Sequence, residues 1–176
     1  MMRATTNRSL VLGLLGLILG GGNAQAAPCH NNLPASNADS VYTDHGNGTV
    51  TDTRTGLMWK RCTEGLSGHG CQIGSAQFFD WAGALAHAEA STFANHTDWR
   101  LPNVKELASL VEECRWSPAI NTNHFPNTPS SSFWSSSPYA SASVGTWSVD
   151  FIMGGVGSGG FRGHNFNHVR LVRGGQ

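Results

Sequence analysis

Charge is scarce in this sequence. Only 12% of its 176 residues are charged, and eleven Lys and Arg balance eleven Asp and Glu. Bulk charge therefore argues against a polyanion binder, and no nucleic acid is expected as a partner. Cysteine is sparse too. There are four, and none stands in the paired C-x-x-C spacing that zinc knuckles use, which argues against a structural zinc site. The apolar run from Leu10 to Leu19 is too short to span a bilayer comfortably.

That short run has another use. Arg3 and Arg8 precede it and Ala24-Gln25-Ala26 follows it with small residues, so residues 1–26 read as a secretory signal peptide. Its removal leaves 150 residues, 27–176, enough for one domain with a real core. It also leaves nine Lys and Arg against eleven Asp and Glu, a formal charge of −2. No small-residue lipoprotein box precedes Cys29. A secreted or periplasmic protein with no membrane span after cleavage is expected. All four cysteines follow the cleavage site, so two disulfides are the default in an oxidising compartment. Three pairings are open. The short Gly-containing loop between Cys62 and Cys71 favours that pair, with Cys29 to Cys114 tying the mature N-terminus to a helix end.

Asp98-Trp99-Arg100-Leu101-Pro102-Asn103-Val104-Lys105-Glu106 is the most informative run. Pro102 disfavours helix at Leu101, Asn103 can cap the amides that follow, and Glu106 can return the bond, which is a capping box. A helix is predicted from Val104 to about Cys114, with Leu107, Leu110, Val111 and Cys114 inward. An earlier helix is predicted on the stripe Phe78, Trp81, Ala82 and Leu85, with Ser75 as cap. Asn47-Gly48 signals a two-residue hairpin between Val41–Thr43 and Thr49–Thr51. Leu57 to Arg61 reads as a strand with Leu57 and Trp59 on one face. Phe133-Trp134 reads as a short buried strand, Trp147 to Phe151 as a half-exposed one, and Gly154 to Gly160 as a flexible turn. Val169 and Leu171 share a face of the last strand. Strands, two helices, then a loop-rich group of strands indicate an α+β domain.

Asn47-Gly48-Thr49-Val50-Thr51-Asp52, Thr55-Gly56-Leu57-Met58-Trp59, Trp99-Arg100-Leu101-Pro102, Phe133-Trp134-Ser135 and the ending Val169-Arg170-Leu171-Val172-Arg173 together resemble the collagen-like adhesin C-terminal (Lcl C-terminal) domain family. The resemblance spans nearly all of the mature chain. It implies a single C-type-lectin-like domain, also similar to formylglycine-generating enzymes, with two helices packed on small antiparallel sheets and a long loop-rich C-terminal half. It implies adhesion as the role, to glycosaminoglycans in one branch. The formylglycine-generating relatives depend on redox-active cysteines late in the domain, and this chain has none after Cys114.

Other constellations are weaker. Gly155-Val156-Gly157-Ser158-Gly159-Gly160 matches the dinucleotide-binding glycine pattern in letters only, because no helical pattern follows it to receive a pyrophosphate. Asp44, Asn47 and Asp52 could place oxygens around calcium, but the spacing is not that of an EF-hand, and turn bonds to their own backbone are preferred. On a strand, His164 and His168 would stand about 13 Å apart, too far to chelate one ion unless the chain turns. No nucleophile elbow marks any serine. From Phe151 onward Arg162, His164, His168, Arg170 and Arg173 occur without an acid, and scattered cations on a solvated strand are expected there ahead of a binding patch.

What remains is a late-loop surface carrying Trp134, Tyr139, Trp147, Asp150, Arg162, His164 and Asn165. Aromatic faces stack on sugar rings and polar side chains fix hydroxyls, so this set is the expected ligand-binding surface, with Asp150, Arg162 and His164 preferred to either tryptophan. The expected partner is a glycan or an extracellular or envelope protein. No catalytic residue, metal or cofactor is expected. The alternatives are a structural subunit of an envelope or fibre assembly and an enzyme similar to the formylglycine-generating ones.

Overall fold

A computed structural model describes residues 29–30, 33–140, 145–161 and 166–174. The expected signal peptide over 1–26 and the expected site residues Arg162, His164 and Asn165 lie outside the described residues.

The chain is α+β. β1 (Tyr42–Asp44), β2 (Thr49–Asp52), β3 (Leu57–Lys60) and β9 (Val172–Arg173) form an antiparallel sheet in the order β1-β2-β3-β9. β4 (Leu66–Ser67) and β5 (Ile73–Gly74) make a small ribbon, and β6 (Ser132–Pro138), β7 (Gly145–Asp150) and β8 (Gly155–Phe161) a third sheet. Two α-helices, α1 (Trp81–Glu89) and α2 (Val104–Ala108), pack on these sheets among the described residues. Thr51 pairs with Thr43 and Met58, so β2 is central between β1 and β3. Leu57 and Trp59 are both buried, as their shared face predicts.

Consecutive residues of a strand point to opposite faces, and β6 uses both. Phe133 enters one core cluster with Val50, Trp59, Leu107, Leu110, Phe125, Val149 and Phe151. Trp134 enters the other with Ala84, Ala88, Trp99, Leu101, Val169 and Leu171. The third sheet is thus sandwiched, with α1 contributing to the second cluster and α2 to the first. Each large apolar side chain withdrawn from water in this way contributes roughly 1.5–3 kcal/mol.

Several expectations need correction. The first hairpin closes through His45 N donating to Thr49 O at 3.1 Å, so its loop has three residues, with Gly46 and Gly48 both at positive φ. α1 starts six residues after Ser75. Its cap is Asp80, whose carboxylate accepts from Gly83 N, its buried face is Ala84 and Ala88, and Phe78 is exposed outside it. α2 has the predicted capping box, with Glu106 N donating to Asn103 Oδ1 at 2.9 Å and Asn103 N to Glu106 Oε2 at 2.8 Å, but it stops at Ala108. There the Ser109 hydroxyl donates to Glu106 O at 2.7 Å, and Leu110 and Val111 continue with tighter three-residue bonds. β7 carries buried residues on both faces, because it is central: Thr146 and Ser148 are buried as well as Val149, while Trp147 and Asp150 are half-buried. The glycine run read as a turn is the strand β8, and the turn is Phe151–Gly154.

Both favoured disulfides form, Cys29–Cys114 and Cys62–Cys71. Near the first, buried Glu112 accepts from Ser36 N and Asn37 N, each at 2.8 Å, and fastens the N-terminal segment to the end of the second helical region.

Candidate functional site

Of the described members of the expected surface, Tyr139 and Trp147 meet and Trp134 is interior. Trp134 is corrected outright: it is fully buried, and its Nε1 donates to Phe79 O at 2.7 Å. Tyr139 and Trp147 meet edge to face with ring centroids 4.9 Å apart, both half-buried. Asp150 ends β7, three residues from Trp147, where its Oδ1 accepts from Ile152 N at 2.9 Å and shapes the turn into β8. It is a turn former.

The late cations are also reassigned. His168 is buried, with its ring 4.1 Å from that of Phe78 and Nδ1 2.9 Å from Gln77 O, and burial holds it below the ordinary histidine range. Arg170 is fully buried, contrary to a solvated strand. Its guanidinium donates to Lys60 O at 3.0 Å, to Arg61 O, to Thr63 Oγ1 at 3.2 Å and to Thr128 Oγ1 at 2.7 Å, and lies 4.9 Å from the Phe125 ring centroid. Desolvation pushes it down to about 9, so it stays protonated at neutral pH.

The calcium candidates are occupied by the chain itself. Asp44 accepts from Gly46 N at 2.9 Å and from Arg61 at 2.6 Å, Asn47 Oδ1 from Thr49 N at 3.1 Å, and Asp52 from Arg54 N at 2.9 Å. Cys29, Glu112 and Cys114 also cluster, but the two sulfurs are bonded to each other and the carboxylate serves Ser36 and Asn37.

The structure also holds a concave site that the sequence did not point to. A cleft of about 570 Å³ opens between the β1–β2 loop at Gly46–Gly48, the run Lys60–Cys62, the disulfide-closed loop at Leu66–His69, and Phe93. Lys60 Nζ sits 4.7 Å from the Phe93 ring centroid and 2.8 Å from Glu64, which also meets His87 Nε2 at 2.8 Å. Arg61 is held by Asp44 and by Asn123 O. The two cations in the cleft lining, Lys60 and Arg61, are each paired with a carboxylate, Glu64 and Asp44. A ring face, cations and a loop of backbone amides can stack on and hydrogen-bond a polar ligand. Glycine is required here: a Cβ at Gly48, where φ is +87°, would lie 2.7 Å from Phe93 Cζ. The hairpin glycines and those between Cys62 and Cys71 were the available signal for two walls. Nothing in sequence spacing brings Phe93 to them.

The motifs in the sequence are, by contrast, scaffold. Arg100 makes a two-pronged ion pair with Glu106 at 2.8 Å and donates to Gly174 O at 3.0 Å. Burial raises the Glu106 carboxyl, but Arg100 and Asn103 N outweigh this and hold it below the ordinary range. Arg173 pairs with Asp98 at 2.7 Å, and Trp99 and Leu101 are core.

The family model for the Lcl C-terminal domain matches residues 48–173. No curated protein and no solved structure matches the chain.

Proposed function

We propose, from the premise that this chain belongs to the Lcl C-terminal domain family, that it is a non-catalytic binding and adhesion module whose cleft takes carbohydrate. The observation that carries this reading is the make-up of the cleft, whose lining brings the Phe93 ring together with Lys60 and Arg61. Sugar rings stack on aromatic faces, and Lys60 and Arg61 are the lining groups that would meet the acidic substituents of a charged sugar. A C-type-lectin-like build and a place in the periplasm or outside the cell belong to the same proposal. Two disulfides suit an oxidising compartment, and among the described residues no helix is long and apolar enough to cross a membrane.

The test is a glycan array followed by calorimetry on the oxidised protein at low and physiological salt. Acidic sugars are expected to be retained, more weakly as salt rises. Phe93→Ala is expected to weaken binding by about threefold to tenfold, the worth of one ring contact. Lys60→Gln should flatten the salt dependence. Retention of no sugar at any salt, or binding indifferent to both substitutions, refutes the proposal.

A further inference from the structure

The third sheet ends on an open edge. Among the described residues β8 is its outer strand, and there Gly155, Val156, Gly157 and Ser158 pair with β7 alone and are all exposed. Their register against Asp150, Val149, Ser148 and Trp147 is continuous, and the irregularity in the pairing lies beyond Ser158. A Cβ built at Gly155 or Gly157 meets nothing within 4 Å. Alternate residues of an antiparallel strand turn N–H and C=O away from their partner, so this edge presents a row of free donors and acceptors. Folded proteins commonly blunt such an edge with charge or proline. From Phe151 to Phe161 this chain has neither. The same hairpin exposes Ile152, Met153 and Val156, at 44%, 82% and 50% of their surface.

We infer that this edge pairs with the same edge of a second copy of the chain, β8 against β8, antiparallel about a two-fold axis. The strand argues for that occupant. Glycine and serine offer no side-chain pockets with which to select a foreign strand, whereas an identical uncharged strand meets no repulsion and brings two copies of Val156 into one contact. The small side chains leave room for backbones to approach to the ordinary strand spacing of about 4.8 Å. An antiparallel pairing of like edges is self-complementary and closes on itself, so it makes a dimer with a continuous six-stranded sheet rather than a filament. The far side of the sheet is already taken, since Trp134 N donates to His168 O at 3.0 Å and His168 N to Ser132 O at 3.1 Å along β6.

Sedimentation equilibrium and hydrogen exchange of the oxidised protein, over a range of concentrations, test the inference. A monomer–dimer equilibrium is expected, with amide exchange at 155–158 slowing as the dimer fills. Val156→Lys, at a half-exposed position, should weaken the dimer by about tenfold or more by setting like charges across the axis, and should leave sugar retention unchanged. A monomer at every concentration overturns the inference. So does a dimer whose 155–158 amides exchange as in the monomer, or one that Val156→Lys leaves intact.

Discussion

Arg170 shows how a single residue can be misjudged from its neighbours in sequence. A terminal run with arginines and no acid looks solvated, yet this guanidinium is interior and donates to two carbonyls and two hydroxyls without a directly bonded carboxylate. Burying an ion costs several kcal/mol, and replacing a buried charge with an apolar side chain is often neutral or better. Here the acceptors decide the sign, because the Lys60 and Arg61 carbonyls belong to the backbone and remain when the donor is removed. An orphaned buried acceptor costs about 1–3 kcal/mol. Arg170→Met is therefore expected to lower stability by about 2–4 kcal/mol. Arg170→Lys should help little, since one ammonium cannot reach four acceptors spread around a planar fork. Urea unfolding midpoints of the two variants check this, and a Met variant as stable as the parent would show that the acceptors find other partners.

At the scale of elements, the two helices separate what local chemistry settles from what packing settles. Asp80 and Asn103 both cap through a side-chain oxygen, so Asp80→Ala and Asn103→Ala should each cost about 1 kcal/mol, the bond from the Asn103 backbone N–H to Glu106 surviving the change. Thermal unfolding of both variants measures this, and a variant as stable as the parent would show that its cap contributes nothing. The Asn103 box was legible because every member lies within four residues of sequence. The α1 cap was missed because Phe78 fits a helical stripe that the chain enters only at Trp81. Likewise Val111 and Cys114 continue the α2 period, but the chain leaves the helix so that Glu112 can hold Ser36 and Asn37, partners about 75 residues away. β8 was read as a turn because its residues are poor strand formers, whereas its bonds come from β7 and are indifferent to side chains. The disulfides were legible from four cysteines and one short loop. The cleft was not, since its walls come from four separated segments.

For the whole molecule the two disulfides have unequal work, and their loop lengths predict by how much. Cys29–Cys114 spans 85 residues and joins the start of the described chain to the region after α2, while Cys62–Cys71 spans 9 and closes one wall of the cleft. Chain entropy assigns roughly 4.6 kcal/mol to a loop of the first length and roughly 2.6 kcal/mol to one of the second. Against a typical stability of about 5–15 kcal/mol, loss of the long loop's bridge removes much of the margin and loss of the short one does not. The Cys29→Ser/Cys114→Ser protein is therefore expected to unfold at markedly lower urea concentration. The Cys62→Ser/Cys71→Ser protein should keep its cooperative transition with a smaller shift, yet lose sugar retention, because the loop carrying Leu66 to His69 is no longer fixed opposite Phe93. Unfolding midpoints and retention measured on both pairs give the crossed result: stability falls most in one and binding in the other. If the short-loop variant binds as the parent does, the wall it closes takes no part in recognition and the ligand sits elsewhere.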